Sequence, residues 1–168
     1  ASPTSIRIAR DAAVVAPRGF RSITANVGVK GGVDECSILW SDRPAGAVGL
    51  FTRSLFAGPS VAVSREVAAT GAGRGVVTVS GNANVATAEA GARHARDLQR
   101  RAAHAAGIAP DEMFVSSTGV IGRPYPPAVW GHLDHLPGAT EPADLAAVAR
   151  AIRTTDTHPK CVGAAGPG

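Results

Sequence analysis

The feature that constrains this sequence most is a nearly continuous apolar run over residues 74–80, Arg-Gly-Val-Val-Thr-Val-Ser. Such a run predicts a strand buried on both faces, and the polar loop Gly81-Asn82-Ala83-Asn84 ends it. A helix is predicted next over residues 87–106, followed by a second buried strand over residues 113–117. The apolar residues of the helix recur at helical spacing: Ala92, Ala95, Leu98, Ala102 and Ala105.

Two shorter helices are predicted after the second strand. One begins at Pro126 or Pro127, and the other begins at Thr140-Glu141-Pro142. The later helix follows the i, i+3, i+4, i+7 rule through Leu145, Val148, Ala149 and Ile152. This alternation of strand and helix predicts an α/β fold in which helices pack on a sheet in layers.

The first half of the sequence carries shorter apolar runs between turn residues. These runs predict strands over 19–25, 33–40, 45–51 and 59–63, and therefore an antiparallel sheet. A length of 168 residues suits one ordinary domain, and the sequence shows no internal repeat. We therefore predict that residues 1–168 form a single domain.

The net charge of +4 raises the question of nucleic-acid binding. The basic residues are scattered, apart from one group on the predicted long helix that alternates with acidic residues. That group consists of Arg93, Arg96, Arg100 and Arg101, interleaved with Glu89 and Asp97. One Tyr and two Trp offer few platforms on which bases could stack. We therefore predict a solvated helix face and no nucleic-acid partner.

The sequence predicts a soluble, cytoplasmic protein without a membrane or metal partner. No apolar run approaches the roughly 20 residues of a membrane helix, and residues 1–11 lack the apolar stretch of a secretory signal. Cys36 and Cys161 lie far apart and are expected to be reduced bystanders. His132 and His135 could share a helix face, but no third ligand lies nearby, so we predict a solvated pair and no metal site.

Two polar stretches follow predicted elements and could carry chemistry. In Ser116-Ser117-Thr118-Gly119-Val120-Ile121-Gly122, a strand end could present a backbone N–H and a Thr hydroxyl to one point, as stabilising an oxyanion requires. A tight turn with capping hydroxyls is the alternative. Thr154-Thr155-Asp156-Thr157 follows the last helix and could hold a polar substrate, or could be a turn in which Asp156 bonds locally.

Taken together, four pieces of the sequence resemble the ornithine acetyltransferase family, also called glutamate N-acetyltransferase. They occur in family order and cover most of residues 13–160. The pieces are Phe51-Thr52-Arg53-Ser54, Gly81-Asn82-Ala83-Asn84, Ser117-Thr118-Gly119-Val120-Ile121-Gly122, and Ala151-Ile152-Arg153-Thr154-Thr155-Asp156-Thr157 with Pro159-Lys160.

The resemblance implies the layered α/β fold of the ornithine acetyltransferase and self-cleaving aminopeptidase type. It implies an enzyme that cleaves itself into an α and a β chain, assembles as a heterotetramer of two of each, and moves an acetyl group from N-acetylornithine to glutamate. The nucleophile is the Thr that begins the β chain, whose own amine can act as its base. No cofactor is implied. Thr118 and Gly119 correspond to the oxyanion hole, and Thr154 to a substrate-binding residue.

The sequence also departs from the family pattern. It contains neither the β segment with its nucleophile nor the Lys-containing segment that lines the family's site. Arg153 stands where the family often has Met, which leaves a different acyl donor or acceptor open. Two other hypotheses remain: a subunit of a self-cleaving amidohydrolase or aminopeptidase, and a noncatalytic scaffold subunit.

Overall fold

A computed structural model describes residues 7–10 and 14–165 of the chain. Its strands are β1 (Arg7–Arg10), β2 (Phe20–Ala25), β3 (Cys36–Gly46), β4 (Ala72–Asn82), β5 (Met113–Val120) and β6 (Val162–Ala165). Its helices are α1 (Pro59–Ala69), α2 (Ala88–Ala106), α3 (Ala128–Asp134) and α4 (Leu145–Ala151), and a 3-10 turn spans Pro110–Glu112. Among these described residues, no helix is both long enough and apolar enough to cross a membrane.

The main sheet has the strand order β2-β3-β4-β5. β2, β3 and β4 pair antiparallel, which confirms the antiparallel arrangement predicted for the first half. β4 and β5 are parallel, because α2 carries the chain from the end of one strand back to the start of the next. β5 is therefore an edge strand, and β1 pairs with β6 in a separate two-stranded sheet.

The core lies between the sheet and α2. Leu98 and Ala102 of α2 are fully buried together with Val77 and Val79 of β4. The predicted helix is thus confirmed, but its basic face is not uniformly solvated. Arg101 is half-buried, because its guanidinium pairs with Asp134 of α3.

Burial along β4 differs from the sequence prediction. The strand is not buried on both faces: Val77 and Val79 are buried, whereas Val76 and Thr78 are only half-buried. The alternation arises because α2 covers one face of the sheet, while the other face is partly open toward α1. A run of β-branched residues therefore reflected strand propensity as much as burial.

Two strand predictions in the first half are wrong. Residues 59–63 form the first turns of α1 rather than a strand, with Pro59 at the first helical turn, where its missing N–H costs nothing. Val61 and Val63 have the two-residue spacing of a strand. Val63 and Val67, however, have the four-residue spacing of a helix, and both are buried. Of the strand predicted over 45–51, only residues 45 and 46 belong to β3, which ends at Gly46. Residues 47–51 have no regular secondary structure.

Candidate active site

The predicted oxyanion residues Thr118 and Gly119 lie at the carboxyl end of β5, opposite Ser80 and Gly81 of β4. Gly119 has a φ of 131° and Gly81 has a φ of 99°, both in the region that favours glycine. A Cβ built on Gly119 would lie 2.7 Å from the Asn82 nitrogen and closer still to the Gly81 carbonyl carbon. The two strand ends therefore touch backbone to backbone, and Thr118 is exposed at this end of the sheet.

The loop after β4 fastens this end of the sheet to its surroundings. The buried Asn82 side chain donates to the carbonyls of Arg123 (3.1 Å) and Pro124 (3.2 Å), and its Oδ1 accepts from the Asn84 N–H at 2.7 Å. The Asn84 amide in turn donates to the Gly91 carbonyl of α2 at 2.8 Å. Both asparagines of the Gly-Asn-Ala-Asn loop therefore fix neighbouring backbone segments by hydrogen bonds. The polar character of the loop in the sequence did not indicate this role.

Two buried groups beside the site are held neutral. The Tyr125 hydroxyl shares a hydrogen bond with the Ser117 hydroxyl, and burial raises the pKa of Tyr125 to about 12. Burial also raises the pKa of the Cys36 thiol to about 12, with a further contribution from the neighbouring Glu35 carboxylate. Cys36 and Cys161 are both free thiols, and a thiol as protonated as Cys36 is a poor nucleophile.

Lys30 connects the end of β4 to the end of α4. Its Nζ donates to the Ser80 hydroxyl at 2.8 Å and to the Arg153 carbonyl at 2.7 Å, while the Ser80 hydroxyl donates to the Ala151 carbonyl at 2.6 Å. The aliphatic part of Lys30 covers Gly81, where a Cβ would lie 2.8 Å from the lysine Cε. The sequence analysis did not single out Lys30. Its partners, the Ser80 hydroxyl and the Arg153 carbonyl, lie far from it along the chain, so no local sequence pattern indicates these contacts.

Thr154, the predicted substrate-binding residue, is exposed and lines a cavity of about 530 Å3. Lys30 also lines this cavity, so the cavity and the Thr118 strand end share one connecting side chain. Arg150, Arg153 and Asp34 contribute the other charges, which makes the lining net positive and suited to a carboxylate. Asp156, two residues further on, instead pairs with Lys160, whose ammonium lowers the pKa of that carboxyl.

His132 and His135 are both exposed. The His135 Nδ1 lies 2.7 Å from the Gly131 carbonyl, within its own helix turn. Over residues 7–10 and 14–165, no group of three or more His, Cys, Asp or Glu side chains is placed to hold a metal ion.

Comparison with known proteins identifies the family. The sequence pattern that describes the ArgJ family matches residues 21–166. The chain belongs to the ArgJ family. It is 47% identical over 146 residues to a protein named glutamate N-acetyltransferase Oat2 from Streptomyces clavuligerus, covering 86% of this chain and 37% of that protein. It is 43% identical over 152 residues to the arginine biosynthesis bifunctional protein ArgJ of Rhodococcoides fascians, covering 89% of this chain and 38% of that protein.

Solved structures of ArgJ proteins share the fold. A chain of Mycobacterium tuberculosis ornithine acetyltransferase, solved with ornithine, matches with a TM-score of 0.83 and 30% identity over 95% of this chain and 88% of that chain. A chain of Bacillus halodurans ArgJ matches with a TM-score of 0.80 over 97% of this chain and 94% of that chain, and at 20% identity it supports the fold alone. The layered α/β fold and the family resemblance are thereby confirmed. This chain spans little more than a third of the curated ArgJ relatives, yet nearly all of these solved chains.

Proposed function

We propose that this chain is the α chain of a self-processed glutamate N-acetyltransferase, which moves an acetyl group from N-acetylornithine to glutamate. One observation carries the proposal: Thr118 and Gly119 stand at a strand end that Lys30 joins to the Thr154 cavity. Membership of the ArgJ family and the names of its relatives support the reaction. Thr118 and Gly119 then form the oxyanion hole, and Thr154 contacts substrate.

The reaction follows from these roles. The hydroxyl of the β-chain Thr attacks the acetyl carbonyl, its proton passes to its own amine, and a tetrahedral oxyanion forms. The Thr118 hydroxyl and the Gly119 N–H donate to that oxyanion, which develops only as the carbonyl is attacked. Collapse breaks the C–N bond, ornithine leaves with the proton, and an acetyl ester on Thr remains. The glutamate amine attacks this ester in the same way and regenerates the Thr hydroxyl.

The partner and location belong to the same proposal. The chain forms one domain, pairs with a β chain that begins with the nucleophilic Thr, and assembles as two α and two β chains. This chain matches only 37% of a curated relative but 88% of a solved chain. This difference supports a division of the protein into separate chains. The relatives' biosynthetic names support a cytoplasmic enzyme with amino-acid substrates.

Trapping the acyl-enzyme tests this function. When N-acetylornithine is supplied without glutamate, mass spectrometry is expected to find one acetyl group on the N-terminal Thr of the β chain. Glutamate is then expected to release that group far faster than water does. Product formation at a rate indifferent to added amino acids, without an adduct, would instead assign the amidohydrolase or aminopeptidase function.

Arg153 favours a second candidate, in which the donor or acceptor is not the usual one. Its side chain lines the Thr154 cavity and donates to the Thr157 carbonyl at 3.2 Å. A guanidinium at this place adds positive charge to the cavity, so an acidic acyl donor or acceptor would be favoured. The same trapping assay with a panel of N-acyl amino acids separates the two, because the preferred donor is the one that labels Thr fastest.

A further inference from the structure

The loop between β2 and β3 carries Lys30, and two side chains of the loop itself fix its backbone. The Asn26 amide donates to the Lys30 carbonyl at 2.8 Å. The fully buried Glu35 carboxylate accepts from the N–H groups of Val27 (3.0 Å) and Val29 (2.8 Å). The backbone from which the Lys30 side chain extends is therefore held in one conformation by the loop.

From this fixed position, Lys30 bridges two parts of the candidate site. Its ammonium donates to the Ser80 hydroxyl and to the Arg153 carbonyl, and hydrogen bonds from a charged donor are stronger than those between neutral groups. Ser80 is the register partner of Thr118 in the sheet. Arg153 directly precedes Thr154 in the sequence. Lys30 therefore holds together the neighbours of the two predicted kinds of site residue.

The segment that follows α4, residues 152–160, has no other such connection, and we call it the exit segment. Its remaining side-chain hydrogen bonds stay within the segment and join Arg153 to the Thr157 carbonyl, Thr157 to His158, and Lys160 to Asp156. Over residues 7–10 and 14–165, Lys30 is thus the only side chain from outside the exit segment that hydrogen-bonds to it. The place of this segment against the end of β4 depends on that contact.

The strand end on the other side of the bridge is fixed independently of Lys30. Gly119 meets the backbone of Gly81 and Asn82, and the Asn82 side chain is itself held by hydrogen bonds to two carbonyls. When the Lys30 contact is lost, the exit segment is therefore the part that shifts. A displacement of about 1 Å between the groups that hold a substrate and those that act on it can cost about a hundredfold in rate.

We propose that Lys30 is a positioning residue for acyl transfer, which holds the exit segment at a fixed distance from the oxyanion donors Thr118 and Gly119. Because Thr154 lies on that segment, Lys30 aligns the amino-acid part of the acyl donor with the acetyl carbonyl at the strand end. Lys30 acts through its two hydrogen-bond partners and not through contact with the reacting atoms. The inference rests on the proposed acetyltransferase function, from which it takes the roles of Thr118 and Thr154.

Two acyl donors separate positioning from a general loss of structure. N-acetylornithine has an amino-acid part for Thr154 to contact, whereas p-nitrophenyl acetate has none and needs only the β-chain Thr and the oxyanion donors. Acetylation of the β-chain Thr in the complete enzyme is followed by mass spectrometry with each donor. Lys30→Met keeps an aliphatic stem over Gly81 and removes the ammonium. We expect acetylation at least about tenfold slower with N-acetylornithine, and within about twofold of the parent with p-nitrophenyl acetate.

Lys160→Met is the matched control. It removes one positive charge from the exit segment itself, but the Lys160 ammonium pairs with Asp156 at the surface and does not reach β4. We expect parent rates with both donors. The same selective loss in Lys160→Met as in Lys30→Met would assign the effect to charge and overturn the positioning role.

Ser80→Ala tests the same bridge from its other end, and it decides the question if Lys30→Met does not assemble. It removes the hydroxyl that accepts from Lys30 and donates to the Ala151 carbonyl, and it keeps the strand backbone. We expect acetylation by N-acetylornithine to fall while acetylation by p-nitrophenyl acetate is retained.

Equal losses with both donors, or no loss with either, would overturn the positioning role of Lys30 and leave the proposed function intact. A parent enzyme that p-nitrophenyl acetate acetylates and N-acetylornithine does not would overturn the proposed function, and this inference with it.

Discussion

At the scale of single residues, the contact between Gly119 and Gly81 determines how Thr118 is presented. The obstacle that a Cβ on Gly119 would meet is the backbone of Gly81 and Asn82, so repacking of side chains cannot make room there. A hydroxyl that must meet a developing oxyanion benefits from this rigidity, because a donor fixed in advance needs no reorganisation during the reaction.

Removing the Thr118 hydroxyl is expected to slow turnover steeply. Loss of one oxyanion donor typically costs about a hundredfold or more in kcat, or about 3 kcal/mol. Thr118→Ala in the complete enzyme should show this loss, whereas Thr118→Ser, which keeps a hydroxyl, should retain most of the activity. Steady-state kinetics with N-acetylornithine and glutamate measure both. If Thr118→Ala turns over like the parent, Thr118 has only a structural role at the end of β5.

His94 is expected to make the fold sensitive to acid. Burial lowers the pKa of His94, its Nδ1 has no hydrogen-bond partner among the described residues, and its ring lies 5.1 Å from that of Trp130. Because the folded pKa is below the unfolded one, the unfolded state takes up the proton first. Stability is therefore fully present above about pH 6.5 and declines as the pH falls below that value.

Urea unfolding between about pH 7.5 and 5.5, roughly one unit on either side of an ordinary histidine pKa, measures the effect. We expect His94→Phe to flatten the decline. His104→Phe, on the exposed face of the same helix, should leave it unchanged. Equal acid sensitivity in the parent and His94→Phe would assign the decline to other groups.

At the scale of elements, Ser64 joins α1 to β5 by satisfying two backbone groups of a buried residue. Ser64→Ala would leave the N–H and the C=O of Val115 without partners in a site that water reaches poorly. Each buried polar group left unpaired costs about 1–3 kcal/mol, so we expect a loss of at least that size in the free energy of unfolding. Urea denaturation measures the loss.

Ser60→Ala is the matched control for Ser64→Ala. Ser60 is also buried on α1, and the structure shows no side-chain hydrogen bond for it within the described residues. Its replacement should cost much less. A similar loss for both variants would mean that helix packing, rather than the two bonds to Val115, accounts for the effect.

Long periodic elements could be predicted from the sequence, and short ones could not. The spacing of Ala95, Leu98 and Ala102 indicated α2, because a helix of 19 residues repeats its apolar face several times. Residues 59–63 were mistaken for a strand, because five residues fit either period. The order strand, helix, strand is compatible with the parallel pairing of β4 and β5. The register that sets Ser80 opposite Thr118, however, depends on contacts across the fold that no local pattern reports.

At the scale of the whole molecule, the candidate site is expected to be inactive in this chain alone. The family reaction needs a Thr nucleophile that this sequence does not supply. The isolated chain should therefore show no acetyl transfer from N-acetylornithine to glutamate, and co-assembly with a β segment should restore it. A radiolabelled acetyl-transfer assay compares the isolated chain with the assembled one. Robust turnover by the isolated chain would contradict the proposal that the nucleophile lies on a separate β chain.

The site residues drawn from the resemblance stay predictions, although the structure shows why the sequence could mark them. Thr118 and Gly119 lie at the exposed end of β5, and Thr154 lies in the exposed polar stretch shortly after α4, where side chains and backbone become accessible. Lys30 lies outside the four family-like pieces, and its partners are 50 and 123 residues away along the chain. Only the folded structure brings these groups together.

The close approach of Gly81 and Gly119 also limits how this protein can change during evolution. A larger residue in place of Gly119 cannot be compensated by a smaller side chain opposite, because Gly119 meets the main chain itself. A substitution of Gly119 therefore forces β4 and β5 apart at the candidate site. New substrate preferences in descendants of this sequence should therefore arise from changes around the cavity, at positions such as Arg153, while Gly119 stays as it is.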